Sequence, residues 1–220
     1  MQDIENVQME LQQERARVQR LEAEIARLRQ EIDELRLVYQ NTVEHGTLIE
    51  NELDRRVRVA TVQATTDPLT GIFNRLKFHD TLNRNLERRS SPPAASSLIM
   101  FDIDRFKQVN DQYGHRAGDD VLVELIMVVR GAIRQDDIFA RWGGEEFVIL
   151  TAADGDDTQR LAERIRATIE EHQFKRVGRI TCSFGVTGIG PGDNVESVTQ
   201  RADTALYRAK WAGRNAVARE

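Results

Sequence analysis

The chain has 220 residues, of which 40% are hydrophobic and 30% charged, with a formal net charge of -5. That composition suffices for one globular domain plus an appendage, and the negative charge argues against electrostatic binding to nucleic acid. No apolar run is long enough to span a bilayer, no signal peptide opens the chain, and the single Cys182 has no partner for an internal disulfide, all of which fits a cytoplasmic protein.

Residues 4 to 39 carry a heptad pattern. Ile4, Leu11, Val18, Ile25, Ile32 and Tyr39 fall at one seam position, and Val7, Leu21, Leu28 and Leu35 at the other, with Glu14 breaking the second series. From Val18 to Leu35, β-branched residues at a and Leu at d favour a parallel two-stranded coil. So narrow a stripe has nothing in its own chain to cover it, and parallel pairing would deliver two globular domains to one end of the rod. After Tyr39 the spacing of Val43, Ile49, Leu53 and Val57 loses strict register, and Gly46 interrupts it. Residues 41–65 are therefore expected to form a helical signalling linker that transmits an input as a change of register. The pattern is already running where the chain begins, so an upstream sensor domain is expected in a longer protein.

The globular part, residues 66–220, reads as α+β. A helix follows Asn74-Arg75 through Leu82 and Leu86, and Ser90 to Ser96 reads as a loop. A buried strand, Ser97 to Phe101, ends in Asp102-Ile103-Asp104. Carboxylates at a strand end suit a hard divalent cation such as Mg²⁺, with Mn²⁺ an alternative. Asp104, followed by Arg105-Phe-Lys-Gln-Val-Asn, is expected to cap a helix. Tyr113 to Gly118 reads as a turn and Asp119 to Arg134 as a long amphipathic helix. Residues 137 to 151 form a strand–hairpin–strand around Gly143-Gly144-Glu145-Glu146, and two glycines between strands predict a tight turn with φ > 0. If these strands are neighbours, Asp102 and the Glu145-Glu146 pair converge on one cation, which points to phosphate chemistry. A helix through Leu161, Ile165 and Ile169, a strand from Ile180 to Val186 and a last helix from Val198 to Trp211 complete the chain.

In order along the chain, five stretches resemble the GGDEF family of diguanylate cyclases, in the variant spelled Gly-Gly-Glu-Glu-Phe. They are Asp67-Pro-Leu-Thr-Gly-Ile-Phe-Asn-Arg75, Phe101 to Asp119, Arg134 to Phe147, Ser183-Phe-Gly185, and Ala202 to Asn215. The resemblance covers roughly residues 65 to 220. It implies a ferredoxin-like core related to nucleotidyl cyclases. It also implies condensation of two GTP into cyclic di-GMP and two pyrophosphates across a homodimer. It places the metal on Asp102, the Ile103 carbonyl, Glu145 and Glu146, with the two glutamates as candidate bases. Guanine offers two donors on its Watson–Crick edge, which suit a carboxylate; by resemblance that carboxylate is Asp119, with Asn110 beside it and His115 nearby. Lys107, Lys210 and Arg214 are implied to bind phosphates, while Gly143 and Gly144 leave room for the nucleotide. Arg134 and Asp137 match an inhibitory product site for cyclic di-GMP, with Arg141 as a further member. Two other classes stay open: a silent receptor that binds nucleotide without turnover, and a scaffold built on the coil.

Overall fold

The computed structural model describes residues 2–87 and 95–220. By its contacts the chain divides into two compact units, Met1–Ala60 and Thr61–Glu220. The first is helical: α1 runs unbroken over Gln2–Thr65, through Gly46, and no helix among the described residues is long and apolar enough to cross a membrane. Val18, Leu21, Ile25, Leu28 and Ile32 are each about half exposed, so the heptad stripe is uncovered by its own chain. Thr42 and Thr47 donate back to the carbonyls of Val38 and Val43, a habit that loosens a helix locally.

The second unit is a six-stranded sheet in the order β1-β3-β4-β2-β5-β6. Its strands are β1 Phe73–Asn74, β2 Ser97–Ile103, β3 Ile138–Gly143, β4 Glu146–Thr151, β5 Cys182–Gly188 and β6 Val217–Arg219. The helices are α2 Arg75–Glu87, α3 Phe106–Tyr113, α4 His115–Ala132, α5 Gly155–Glu171 and α6 Val195–Trp211. Central β2 is antiparallel to β4 on one side and to β5 on the other. Short β1 and β6 pair in parallel at the edges and were not foreseen, because two or three residues carry no readable alternation. Most of the Ser90–Ser96 loop, residues 90–94, lies outside the described residues.

Strand alternation sorts the core into two layers. Ile99, Phe101 and Ile103 of β2 join Phe147, Phe184, and the apolar faces of α4 and α5, with Phe101 stacked 4.9 Å from Phe184 and 5.3 Å from Phe147. Leu98 and Met100 point the other way and meet Val148, Leu150, Phe78 and Leu82 of α2, and Val198, Ala202 and Leu206 of α6. Cys182 is fully buried in the first layer, where desolvation raises its thiol pKa, so it packs as a small apolar side chain.

Gly185 fixes how closely α6 lies on the sheet. A Cβ there would overlap the Ala202 carbonyl oxygen and the Leu206 amide nitrogen, so only glycine permits this approach.

Candidate active site

Register builds the acidic centre. Asp102 is the Cα partner of Glu146 across the β2–β4 ladder, one step beyond the Phe101–Phe147 pair. The same alternation that sends Leu98 and Met100 toward α6 sends Asp102 there too. Lys210, in the last turn of α6, puts Nζ 2.9 Å from Asp102 Oδ1. The Ile103 amide reaches the Glu145 carbonyl at 3.4 Å, which holds the hairpin against the end of β2. Asp102 is only 7% exposed. Burial raises its pKa to about 6; Lys210 opposes that rise, and the charges of Glu145 and Glu146 add to it.

This donor set suits a hard divalent ion: it is all oxygen, its acids repel one another, and the Lys210 ammonium is the cation that meets Asp102 in this structure. Among the described residues no three metal-ligating side chains already stand together as a finished cage, so binding would require Lys210 to share or release Asp102.

The hairpin departs from the expected turn. Neither Gly143 nor Gly144 has positive φ. Instead the β3–β4 register shifts between Arg141 and Gly143, and this irregularity supplies the twist that a primed turn would have given. A Cβ on Gly143 would sit 3.4 Å from Glu146 Oε2, and one on Gly144 would meet nothing within 4 Å, so the protein alone does not demand glycine at Gly144.

Arg141 braces this hairpin. Its Nε donates to the Gly144 carbonyl at 2.9 Å and its Nη1 to Asp67 Oδ1 at 3.0 Å. Asp67 also accepts from the Thr70 amide at 2.9 Å and the Thr70 hydroxyl at 2.6 Å, which explains the Asp-Pro-Leu-Thr spelling as a closed turn. Burial pushes the Asp67 carboxyl up, but Thr70 and Arg141 outweigh it and hold the group below its ordinary value. Asn74 caps α2 through the Lys77 amide at 3.0 Å and reaches back to the Ala64 carbonyl at 2.9 Å. Trp142 is pinned to α2 by the Arg75 guanidinium, 4.3 Å from the ring centroid, and by the His79 ring stacked at 5.2 Å. No sequence motif pointed to His79 or Trp142.

Asp104 does not cap a helix. The residue before α3 is Arg105, in the left-handed region at φ 56, with no side-chain cap. Asp104 is buried and accepts from Thr181 Oγ1 at 2.7 Å, Ser183 Oγ at 2.6 Å and the Asn215 amide at 3.0 Å, tying β2 to β5 and to the loop after α6. Helix α4 begins at His115 rather than Asp119, so the foreseen turn shrinks to Gly114. Asn110, near the end of α3, lies against Gly118 of α4, where a Cβ would overlap its Oδ1. The α3–α4 corner thus brings Asn110 beside the residue that precedes Asp119. Asp119, His115 and Lys107 are exposed, as is Arg214, which follows α6 in the left-handed region at φ 66.

Arg134 and Asp137 close a turn: the buried Asp137 carboxylate accepts the Arg134 amide at 2.8 Å. Both line a cleft of about 280 Å³ with Asp157, Arg160 and Arg164 of α5. Arg141 is not part of it, because Asp67 and Gly144 hold its guanidinium. Arg160 and Arg164 escaped sequence reading because α5 reaches this cleft only through the fold.

The family description "Diguanylate cyclase, GGDEF domain" matches residues 64–216. The chain is 45% identical over 157 residues to the diguanylate cyclase DgcP of Pseudomonas aeruginosa, covering 70% of this chain and 23% of that one. It is 34% identical over 186 residues to the diguanylate cyclase DgcM of Escherichia coli, covering 84% of this chain and 44% of that one. The chain therefore spans less than half the length of either relative. Among solved structures, the coiled coil and GGDEF domain of DgcB from Caulobacter crescentus in complex with c-di-GMP superposes with a TM-score of 0.78 at 31% identity, over 82% of this chain and 98% of that one. A family match over most of the chain, carried on a sheet that seats the Gly-Gly-Glu-Glu hairpin beside Asp102, makes this protein a member of the GGDEF family.

Proposed function

We propose that the chain is a diguanylate cyclase: two copies, each holding one GTP, join the nucleotides into cyclic di-GMP and release two pyrophosphates. The observation that carries this reading is the direct opposition of Asp102 and Glu146 on adjacent strands, with Lys210 reaching the same carboxylate from α6. Nucleotidyl transfer needs charge neutralised at an α-phosphate, a proton removed from a 3′-hydroxyl, and both reactants held in line.

Asp102, the Ile103 carbonyl, Glu145 and Glu146 would hold Mg²⁺, with Mn²⁺ as a substitute; the ion would polarise the phosphate. Glu145 or Glu146 would accept the 3′-hydroxyl proton, a contribution of about 10²–10⁴-fold. Asn110 and Asp119 would receive the guanine edge with His115 nearby, and Lys107, Lys210 and Arg214 the phosphates. Gly143 and Gly144 would leave room for the nucleotide.

One domain offers one set of these groups, so a single copy holds half a reaction centre. The exposed heptad stripe of α1 supports a parallel homodimer, with residues 1–40 as coil, 41–65 as signalling linker and 66–220 as catalytic domain. The cleft of Arg134 and Asp137 would take cyclic di-GMP as inhibitor, since Arg can bond guanine O6 and N7 together. This chemistry requires a compartment holding GTP and Mg²⁺, which the cytoplasm provides. Incubation with GTP and Mg²⁺ followed by nucleotide analysis tests the reading. Cyclic di-GMP with two pyrophosphates is expected. Tight GTP binding without product would make the chain a receptor instead.

A further inference from the structure

A second cleft, of about 330 Å³, opens where α3, the approach to β5 and the loop after α6 meet. Arg105, Gln108, Gln112, Arg179, Arg214 and Asn215 line it. Among the described residues, only Arg105 (φ 56), Arg214 (φ 66) and Asn215 (φ 46) are non-glycine residues in the left-handed region, and all three lie here. Such a conformation is strained for a residue with a side chain and persists only where the surroundings enforce it. Asp104, which also lines the cleft, holds one of them in place: it binds the Asn215 amide together with the Thr181 and Ser183 hydroxyls.

Asp104 is one carboxylate facing three guanidiniums in this lining, so the cleft keeps a net positive charge. Arg105, Arg179 and Arg214 make no ion pair or side-chain hydrogen bond among the described residues. Arg179 also acts at a distance on Glu170, whose carboxyl is held down first by Arg166 and Asn215. Each guanidinium therefore keeps up to five donors unused. Three such groups around one polar cleft suit a compact polyanion.

Arg214 joins this cleft to the site proposed above. We infer that Arg105 and Arg179 extend the phosphate site past Arg214, seat the terminal phosphate of GTP and retain the pyrophosphate as it departs. This rests on the proposed cyclase reading. In that reaction the 3′-oxygen forms a bond to the α-phosphorus, and the bond from that phosphorus to the α,β-bridging oxygen breaks. The electron pair stays with pyrophosphate and the 3′-hydroxyl proton passes to a base. Charge gathers on the leaving group, which is where these arginines sit.

The test uses the whole chain and three probes: inorganic pyrophosphate, a non-hydrolysable GTP analogue, and GDP, each titrated by calorimetry. The variants are Arg105→Gln, Arg179→Gln, their combination, and the charge-preserving Arg179→Lys. The double variant is expected to bind pyrophosphate and the GTP analogue about tenfold more weakly, with GDP changed less than about twofold. Its preference for GTP over GDP collapses accordingly, and Arg179→Lys recovers part of it. Because both side chains are exposed, the difference shrinks at high salt. A merely structural role would lower all three affinities together. An unchanged GTP-to-GDP preference in the double variant overturns the inference. Binding of pyrophosphate through these arginines without binding of any guanine nucleotide overturns the cyclase reading and leaves the cleft standing.

Discussion

Asp102→Asn is expected to stabilise the metal-free protein while abolishing catalysis. Burial raises the Asp102 pKa from 3.8 to about 6 in the folded state, a net value that already includes the opposing pull of Lys210. A carboxyl whose folded pKa lies above its unfolded one is more stable protonated, so its penalty is absent below the unfolded pKa, grows between the two and is complete above the folded one. The difference between about 6 and 3.8 corresponds to about 3 kcal/mol at pH 7.5. Asparagine carries no charge and escapes that penalty. At low pH both side chains are neutral and Lys210 has no charged partner in either protein, so the comparison isolates the ionisation. Thermal unfolding in a chelating buffer should show the variant melting about 6–12 °C above wild type at pH 7.5, with the gap closing toward pH 4. Millimolar Mg²⁺ should raise the wild-type melting temperature and leave the variant's unchanged. A gap that does not vary with pH, or a variant less stable than wild type at pH 7.5 without metal, would refute the reasoning.

Four further outcomes follow from the same geometry. Gly185→Ala should cost about 1–3 kcal/mol in denaturant unfolding, because the added methyl meets backbone of α6 rather than a movable side chain, and should cut activity by carrying Lys210 away from the acidic centre as a whole. Gly118→Ala is the contrasting case: the methyl meets chiefly the Asn110 amide, which can swing aside, and more loosely the Phe106 ring at 3.2 Å, so the helix gain of up to about 1 kcal/mol and the crowding should roughly cancel in stability while GTP affinity falls about tenfold. Arg134→Ala should remove inhibition by added cyclic di-GMP without lowering the initial rate; equal inhibition of both proteins would dismiss the regulatory cleft. Deleting residues 1 to 60 should lower specific activity in dilute assays and restore it at high protein concentration, whereas a fully active dilute monomer would rule out the dimeric mechanism.

Local chemistry was the legible part of this protein. The unbroken apolar run from Leu98 to Phe101 announced a buried strand with an acid at its end, and the heptads of Val18 to Leu35 announced an uncovered helical seam. The convergence of Asp102 on Glu146 required only that neighbouring strands be antiparallel and in register. Features resting on distant partners were hidden. Asp104 reads as a helix cap from its neighbours, but Thr181, Ser183 and Asn215, far along the chain, claim its oxygens. Arg141 reads as part of the product site, yet Asp67, 74 residues away, takes its guanidinium. The glycine hairpin suggested left-handed backbone, but a register shift in β3 relieves that need. The strain appears instead at Arg105, Arg214 and Asn215, none of them a glycine.

The most direct test is a crystal structure of the full chain with a non-hydrolysable GTP analogue and Mn²⁺, whose anomalous signal locates the ion. A peak is expected between Asp102 and the Gly143–Glu146 hairpin, with Lys210 moved from Asp102 to a phosphate and guanine against Asn110 and Asp119. A nucleotide bound elsewhere, with Asp102 still paired to Lys210 and no metal between the two strands, would contradict that arrangement.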